Sequence, residues 1–338
     1  MSLFGKKFLR EGKGFFSRET KARVSLGVFG KHPGWDDHID DIGLDTDSLL
    51  LAKQILYVDG IGGQINSGEW EKLDQAQGLA EFKHVFIWKR RDAFLVGKIC
   101  SSRDGKNRTK YPIIICSHCQ GIPFERALIA LIPIITQATD QCKAVGTADE
   151  VRSIVRLAQD DLRRALVAGE ADLQIPEVLP DTIPFVELLG MEHEALYRTL
   201  YYLQTRMACY QAGEKKDDSG EWPPRQIRLP AAGDYPEETF IFWCRFLESQ
   251  LEKDLPILLT LPVQESWLDA TIGEPGTKEL YALRARPAVL NVACDVPYII
   301  TSEFRETNRD LIQALMEGAQ WIAPRPPFRR LCTDRSLG

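Results

Sequence analysis

Between Asp36 and Asp47 the chain carries six aspartates and no lysine or arginine. Asp36, Asp37, His38, Asp40 and Asp41 bring carboxylates and an imidazole into one short loop, and these donor types hold divalent cations. A metal site also needs ligands that converge from fixed backbone positions, whereas neighbouring aspartates in a loop more often cap turns and face water. A metal-assisted hydrolase using Asp36, Asp37 and His38 is the enzymatic alternative, favoured if they converge in a cleft with Asp104. Cys116-Ser-His-Cys119 has zinc or redox spacing. Zinc needs four ligands and no second close Cys/His pair exists, so core thiols fit better. Ser102, Arg103, Asp104, Lys106, Arg108 and Lys110 form a third cluster, whose cations can hold a phosphate or an acidic partner. Phosphate loops usually lead into a helix N-terminus, but this one leads into an apolar run. Asp104 can cap the turn, and Arg108 can reach the 36–41 loop. The expectation is that Arg108 pairs with Asp36 or Asp37 and pins the two loops together at one end of a sheet. No nucleophile elbow, Walker loop, zincin helix or dinucleotide fingerprint is present. The five histidines (32, 38, 84, 118, 193) are too separated to suggest a triad. No catalytic residue, metal ligand or cofactor is therefore assigned.

These loops need a scaffold. Phe94–Cys100 and Tyr111–Ser117 are apolar, β-branched runs around ten polar residues, with Asp104-Gly105 and Asn107 reversing the chain. Ile113, Ile114 and Ile115 are consecutive, which implies a strand buried on both faces under two helical layers. Arg23–Gly30 is a first strand, with Val24, Leu26 and Val28 on one face. Lys83–Lys89 is another. The pattern predicts a helix over Asp45–Asp59, capped by Asp45 or Thr46 and ended by Gly60–Gly63. A short helix holds Trp70 and Leu73. Pro123–Ala144 is an apolar helix ended or kinked by Pro133. Thr147–Ala168 is amphipathic with a capping box, Thr147 to Glu150. Glu192–Gln211 and Pro236–Asp254 are further helices, with loops at 170–184 and 213–224. Arg225–Leu229, Pro256–Leu261 and Trp267–Ile272 are strands. Lys278–Leu283 and Glu303–Trp321 are helices. The expected fold is α/β: a central, mostly antiparallel sheet formed by both halves, with helices on both faces.

Residues 1–22 form a basic arm. Counted to Arg23, seven cations and two glutamates leave a net charge of five, interleaved with Phe4, Phe8, Leu9, Phe15 and Phe16. A weak membrane-surface or acidic-partner contact is the functional expectation, and an untethered tail the alternative. The whole chain carries −6, which argues against a nucleic-acid binder. No apolar run reaches the roughly 18–20 residues that span a bilayer, and the N-terminus lacks a signal-peptide core. The eight cysteines are scattered, as in a reducing compartment. A cytoplasmic location is expected.

Gly27-Val28-Phe29-Gly30-Lys31-His32-Pro33, followed by Asp37, resembles the opening signature of the TagF/ImpM family of bacterial type VI secretion clusters. Gly97, Ser102, Asp104, Arg108 and Pro112 resemble its second signature, with one extra residue before the proline. Trp35-Asp36 stands where the family has small residues, His38 where it has an aromatic, Ser101 where it has proline and Asn107 where it has glycine, so the chain resembles a divergent member. The motifs cover 24–117, and a looser pattern covers 225–283. The core domain is then 23–322, with 123–212 as a helical connector inside it and 323–338 as a tail. The resemblance implies a non-enzymatic regulator that restrains secretion-system assembly after translation by contacting a forkhead-associated-domain partner. The partner-binding residues would be Trp35, Asp36, Asp37, His38, Ser102, Asp104 and Arg108, with Trp35 as aromatic anchor. A TagF-like adaptor in a different system is the remaining alternative.

Overall fold

A computed structural model describes residues 22–90, 93–166, 185–211, 225–251 and 255–317. The three consecutive isoleucines explain its layering. Successive strand side chains point to opposite faces, so Ile113 and Ile115 enter one apolar core and Ile114 the other, all fully buried. They lie on β4 (Pro112–Gln120). The other strands are β1 (Arg23–Gly30), β2 (Lys83–Arg90), β3 (Ala93–Ser101), β5 (Arg225–Pro230), β6 (Ile257–Pro262) and β7 (Trp267–Ile272). They form one seven-stranded sheet in the order β1-β4-β3-β2-β6-β7-β5. Each neighbouring pair is antiparallel, and β2 pairs with β6 to join the two halves. The expected α/β architecture, with helices on both faces, is the one observed.

One face is covered by the chain from 47 to 77. Thr46 Oγ1 accepts from Leu49 N at 3.3 Å and starts α1 (Asp47–Ala52). The next segment, Lys53–Ile61, is π-helical and continues into α2 (Gly62–Ser67). The glycines expected to end this helix do not end it. A side chain at Gly60 would place its Cβ 1.9 Å from Leu280 Cδ1, so glycine here permits close packing on the C-terminal half. After α3 (Glu69–Gln77) the chain enters β2.

The opposite face is covered by α4 (Phe124–Ala144), α5 (Ala148–Leu166), α6 (Phe185–Leu188), α7 (His193–Gln211) and α8 (Pro236–Gln250), whose described apolar side chains share one core. The helices expected as a connector are thus one of the three layers. Pro133 lies inside α4 without ending it. It and Ile129, whose carbonyl it leaves without an N–H, are both exposed, so water can satisfy that oxygen. The expected capping box forms: Thr147 N donates to Glu150 Oε2 at 3.1 Å and Glu150 N to Thr147 Oγ1 at 3.4 Å.

Two C-terminal expectations change. Glu279–Arg284 is a 3-10 helix. The single helix expected over 303–321 is two, α9 (Ser302–Thr307) and α10 (Arg309–Met316). Buried Asn308 separates them, leaving helical geometry at φ −106° and ψ 7°, and both its backbone N–H, at 3.1 Å, and its Nδ2, at 2.9 Å, donate to Phe304 O. The arm before residue 22, the loops at 170–184 and 213–224 and the tail lie outside the described residues.

Candidate functional site

The two loops meet at the end of the sheet where β1 and β3 finish. β1 runs out at Gly30, and Lys31 N donates to Pro112 O at 3.0 Å, which turns the Lys31 side chain inward until 4% of it is exposed. After β3 the chain folds Asp104 inward. Its Oδ1 accepts from Lys106 N at 3.0 Å and Arg108 N at 2.9 Å. Asn107 closes the turn in the left-handed region at φ 61°, a conformation asparagine tolerates.

Four charges then interlock. Lys31 Nζ donates to Asp104 Oδ2 at 2.8 Å and to Asp37 Oδ1 at 2.7 Å. Arg108 Nε donates to Asp104 Oδ2 at 2.6 Å, and its Nη2 donates to Asp37 Oδ1 and to Asp36 O, each at 2.9 Å. Arg108 thus pairs with Asp37 as expected, while Asp36 contributes its carbonyl. Gly105 N donates to Trp35 O at 2.7 Å, and a Cβ at Gly105 would lie 2.9 Å from Asp36 Oδ1. A side chain at Gly105 would crowd the Trp35 and Pro33 carbonyls, at 3.1 and 3.2 Å, and displace the Asp36 carboxylate.

The electrostatics follow from this geometry. Burial disfavours the charged form of Asp104, but the Lys31 and Arg108 donors outweigh it and hold the carboxyl far below the usual range. Burial also works against the Lys31 ammonium, yet its bonds to Asp104 and Asp37 leave its pKa raised. The Lys31 hydrogen bond holds Asp37 below the ordinary carboxylate value.

His38 borders the cluster. Its Nδ1 shares a hydrogen bond with Tyr57 OH at 3.0 Å, and its ring meets Tyr57 and Tyr111 edge-on at 5.7 Å. Burial, with Lys31, Arg108 and Lys53 nearby, lowers its pKa. Tyr57 reaches it from the π-helical segment, and Lys31 Nζ lies 5.6 Å from the Tyr111 ring centre.

Trp35 is half-buried. Its Nε1 donates to Asp40 Oδ2 at 3.0 Å, and the Arg152 guanidinium sits 5.5 Å from its ring centre. The expectation of a free aromatic anchor is therefore modified, because α5 and Asp40 already occupy part of the ring. His32 ties the same loop to the end of α4, with Nε2 donating to Cys142 O at 2.8 Å and Nδ1 accepting from Gly34 N at 3.0 Å. Ser102 is half-buried and makes no hydrogen bond to the cluster.

Asp37 and Asp104 do converge, but on an ammonium and a guanidinium. Among the described residues no group of three or more His, Cys, Asp or Glu is arranged to hold a metal. Cys116 and Cys119 are three apart on β4, so they enter opposite cores and cannot share a ligand. Among the described residues no helix is long and apolar enough to cross a membrane.

Lys31, Tyr57, Tyr111 and Arg152 join the site without having been singled out. Lys31 had a signal in the Gly30-Lys31 pair, whereas Tyr57 had none, since its direction depends on π-helical winding. No family model and no curated protein matches this chain.

Proposed function

We propose that the chain is a TagF-like accessory protein of a bacterial type VI secretion system, acting in the cytoplasm by protein–protein contact rather than catalysis. The observation carrying this reading is the four-charge lock of Lys31, Asp37, Asp104 and Arg108. It joins the two segments that resemble the family's signatures. Their carboxylates are committed to structure, leaving an ordered, mixed-charge rim of Asp36, His38, Arg103, Lys106 and the outer part of Arg108. A rim held in place loses little conformational freedom when a partner binds. The remaining exposed part of Trp35 extends it. A forkhead-associated-domain protein is the partner class that the resemblance suggests.

The test is affinity capture from native lysate, read by mass spectrometry, with wild type and the Asp36→Lys/Lys106→Glu variant. Both substitutions reverse charge on the rim. A secretion component captured by wild type and lost by the folded variant supports the reading. Capture of no such component, or equal capture by both, removes it.

A further inference from the structure

The outer side of the 47–61 helix carries an apolar stripe. Leu50 is 47% and Val58 45% exposed, with Leu51 and Ile55 half-buried beside them. Leu50 stands on the α-helical part and Val58 on the π-helical part, about two turns apart. Carboxylates rim the stripe. Asp47 precedes Leu50 by one turn, and Asp59 accepts from Gln54 Nε2 at 2.9 Å, between the two ends. Asp45 and Asp41 lie at the entrance. Between Asp36 and Asp59 the only lysine or arginine is Lys53, and Asp41 already neutralises it. The surface thus presents two exposed apolar side chains, Leu50 and Val58, with Gln54 between them and carboxylates around them. Other exposed apolar side chains differ. Leu157, for instance, sits on a helix of mixed charge, where Arg152, Arg156, Arg163 and Arg164 alternate with Asp149, Glu150, Asp160 and Asp161.

The chain holds a segment of matching chemistry. Residues 1–21 contain Lys6, Lys7, Arg10, Lys13, Arg18 and Lys21, interleaved with Phe4, Phe8, Leu9, Phe15 and Phe16. They join the fold at β1, close to the stripe. Leu49, next to Leu50, packs over Gly27, within 3.3 Å of where a Cβ would be. Five strand residues back to Ala22 span about 17 Å, which a segment of this length covers easily.

We propose that residues 1–21 dock on the Leu50–Val58 stripe of their own chain, aromatic side chains on Leu50 and Val58 and cations on Asp45, Asp47 and Asp59. Residue 22 would then lead straight from the docked segment into β1, and the arm would shield an apolar surface that is otherwise open to other proteins. This contact stands apart from the function proposed above.

Zero-length carbodiimide cross-linking of the full chain tests it, with peptides mapped separately from monomer and dimer bands. The expected result is joining of arm lysines to Asp45, Asp47 or Asp59 within the monomer. This product should be lost at 0.5 M salt, roughly where surface charges are screened within a few ångströms, and lost in Leu50→Ser/Val58→Ser. Ile299→Ser, at an exposed apolar position elsewhere, should leave it unchanged. Circular dichroism confirms that the variants fold. The proposal falls if arm lysines join elsewhere or not at all, if the products occur only in the dimer, or if they survive the double substitution. It also falls if anionic vesicles take up the arm while the stripe stays uncross-linked in their absence.

Discussion

Asp104 gathers four donors on one buried carboxylate, so charge and shape can be separated there. Asp104→Asn keeps the size but leaves Lys31 buried with one carboxylate fewer. We expect a melting temperature lower by several degrees, and little added loss when Arg108→Gln is combined with it, because both act on one network. Thermal unfolding of the two single variants and the double variant checks this. The histidines govern a different range. Burial first, then Arg228, Lys83 and Arg284, push the His84 pKa down to about 3 from an ordinary 6.5. Burial lowers His32 and His38 as well. A depressed histidine contributes stability that is complete above pH 6.5. That stability is lost as pH falls, because the unfolded chain takes up protons that the folded chain refuses. Each such proton costs up to about 1.4 kcal/mol per pH unit. Asp104 and Asp37 also have depressed values, but the unfolded state protonates them only near pH 4 and below. The melting temperature should therefore fall between pH 6.5 and 4.5, and His84→Gln should flatten that fall.

At the scale of elements, β1 is an edge strand that a helix side chain completes. Leu26 N donates to Gln159 Oε1 at 2.6 Å, and Gln159 Nε2 donates to Val24 O at 3.1 Å. One amide from α5 thus occupies the place of a neighbouring strand, and Val28 N continues the pattern by donating to Ile42 O at 2.9 Å. An open edge invites pairing with another chain. Gln159→Ala should cost about 1–3 kcal/mol, the range for leaving a buried backbone group unpaired, and should increase light scattering on heating. The same helix anchors the candidate site through Arg152, which bonds Asp40 at 3.0 Å. Helices that no motif marks therefore hold the loop that a motif does mark.

For the whole molecule, the β2–β6 pairing and an apolar core drawn from both halves make the two halves one folding unit. Calorimetry of the full chain should show one cooperative transition rather than two, because neither half can bury its side of that core alone. Much of this architecture was legible in the residues. Consecutive isoleucines meant two buried faces, because strand side chains alternate. Thr147 and Glu150 meant a helix start, because capping is local. The Arg108–Asp37 pair was legible because a turn residue and a short acidic loop flank strands of one sheet. Other features depended on contacts between distant segments. Gly60 marks a break by composition, yet Leu280, 220 positions away, turns it into a packing contact. Asn308 was indistinguishable from any helical asparagine until burial set its side chain against the backbone. The buried place of Lys31 and the approach of Tyr57 arose in the same way. Local preference and alternation were properties of the sequence by itself, because they act over a few residues. Which charges meet, and which helix faces stay open, only the tertiary structure decided, because those depend on segments that come together on folding.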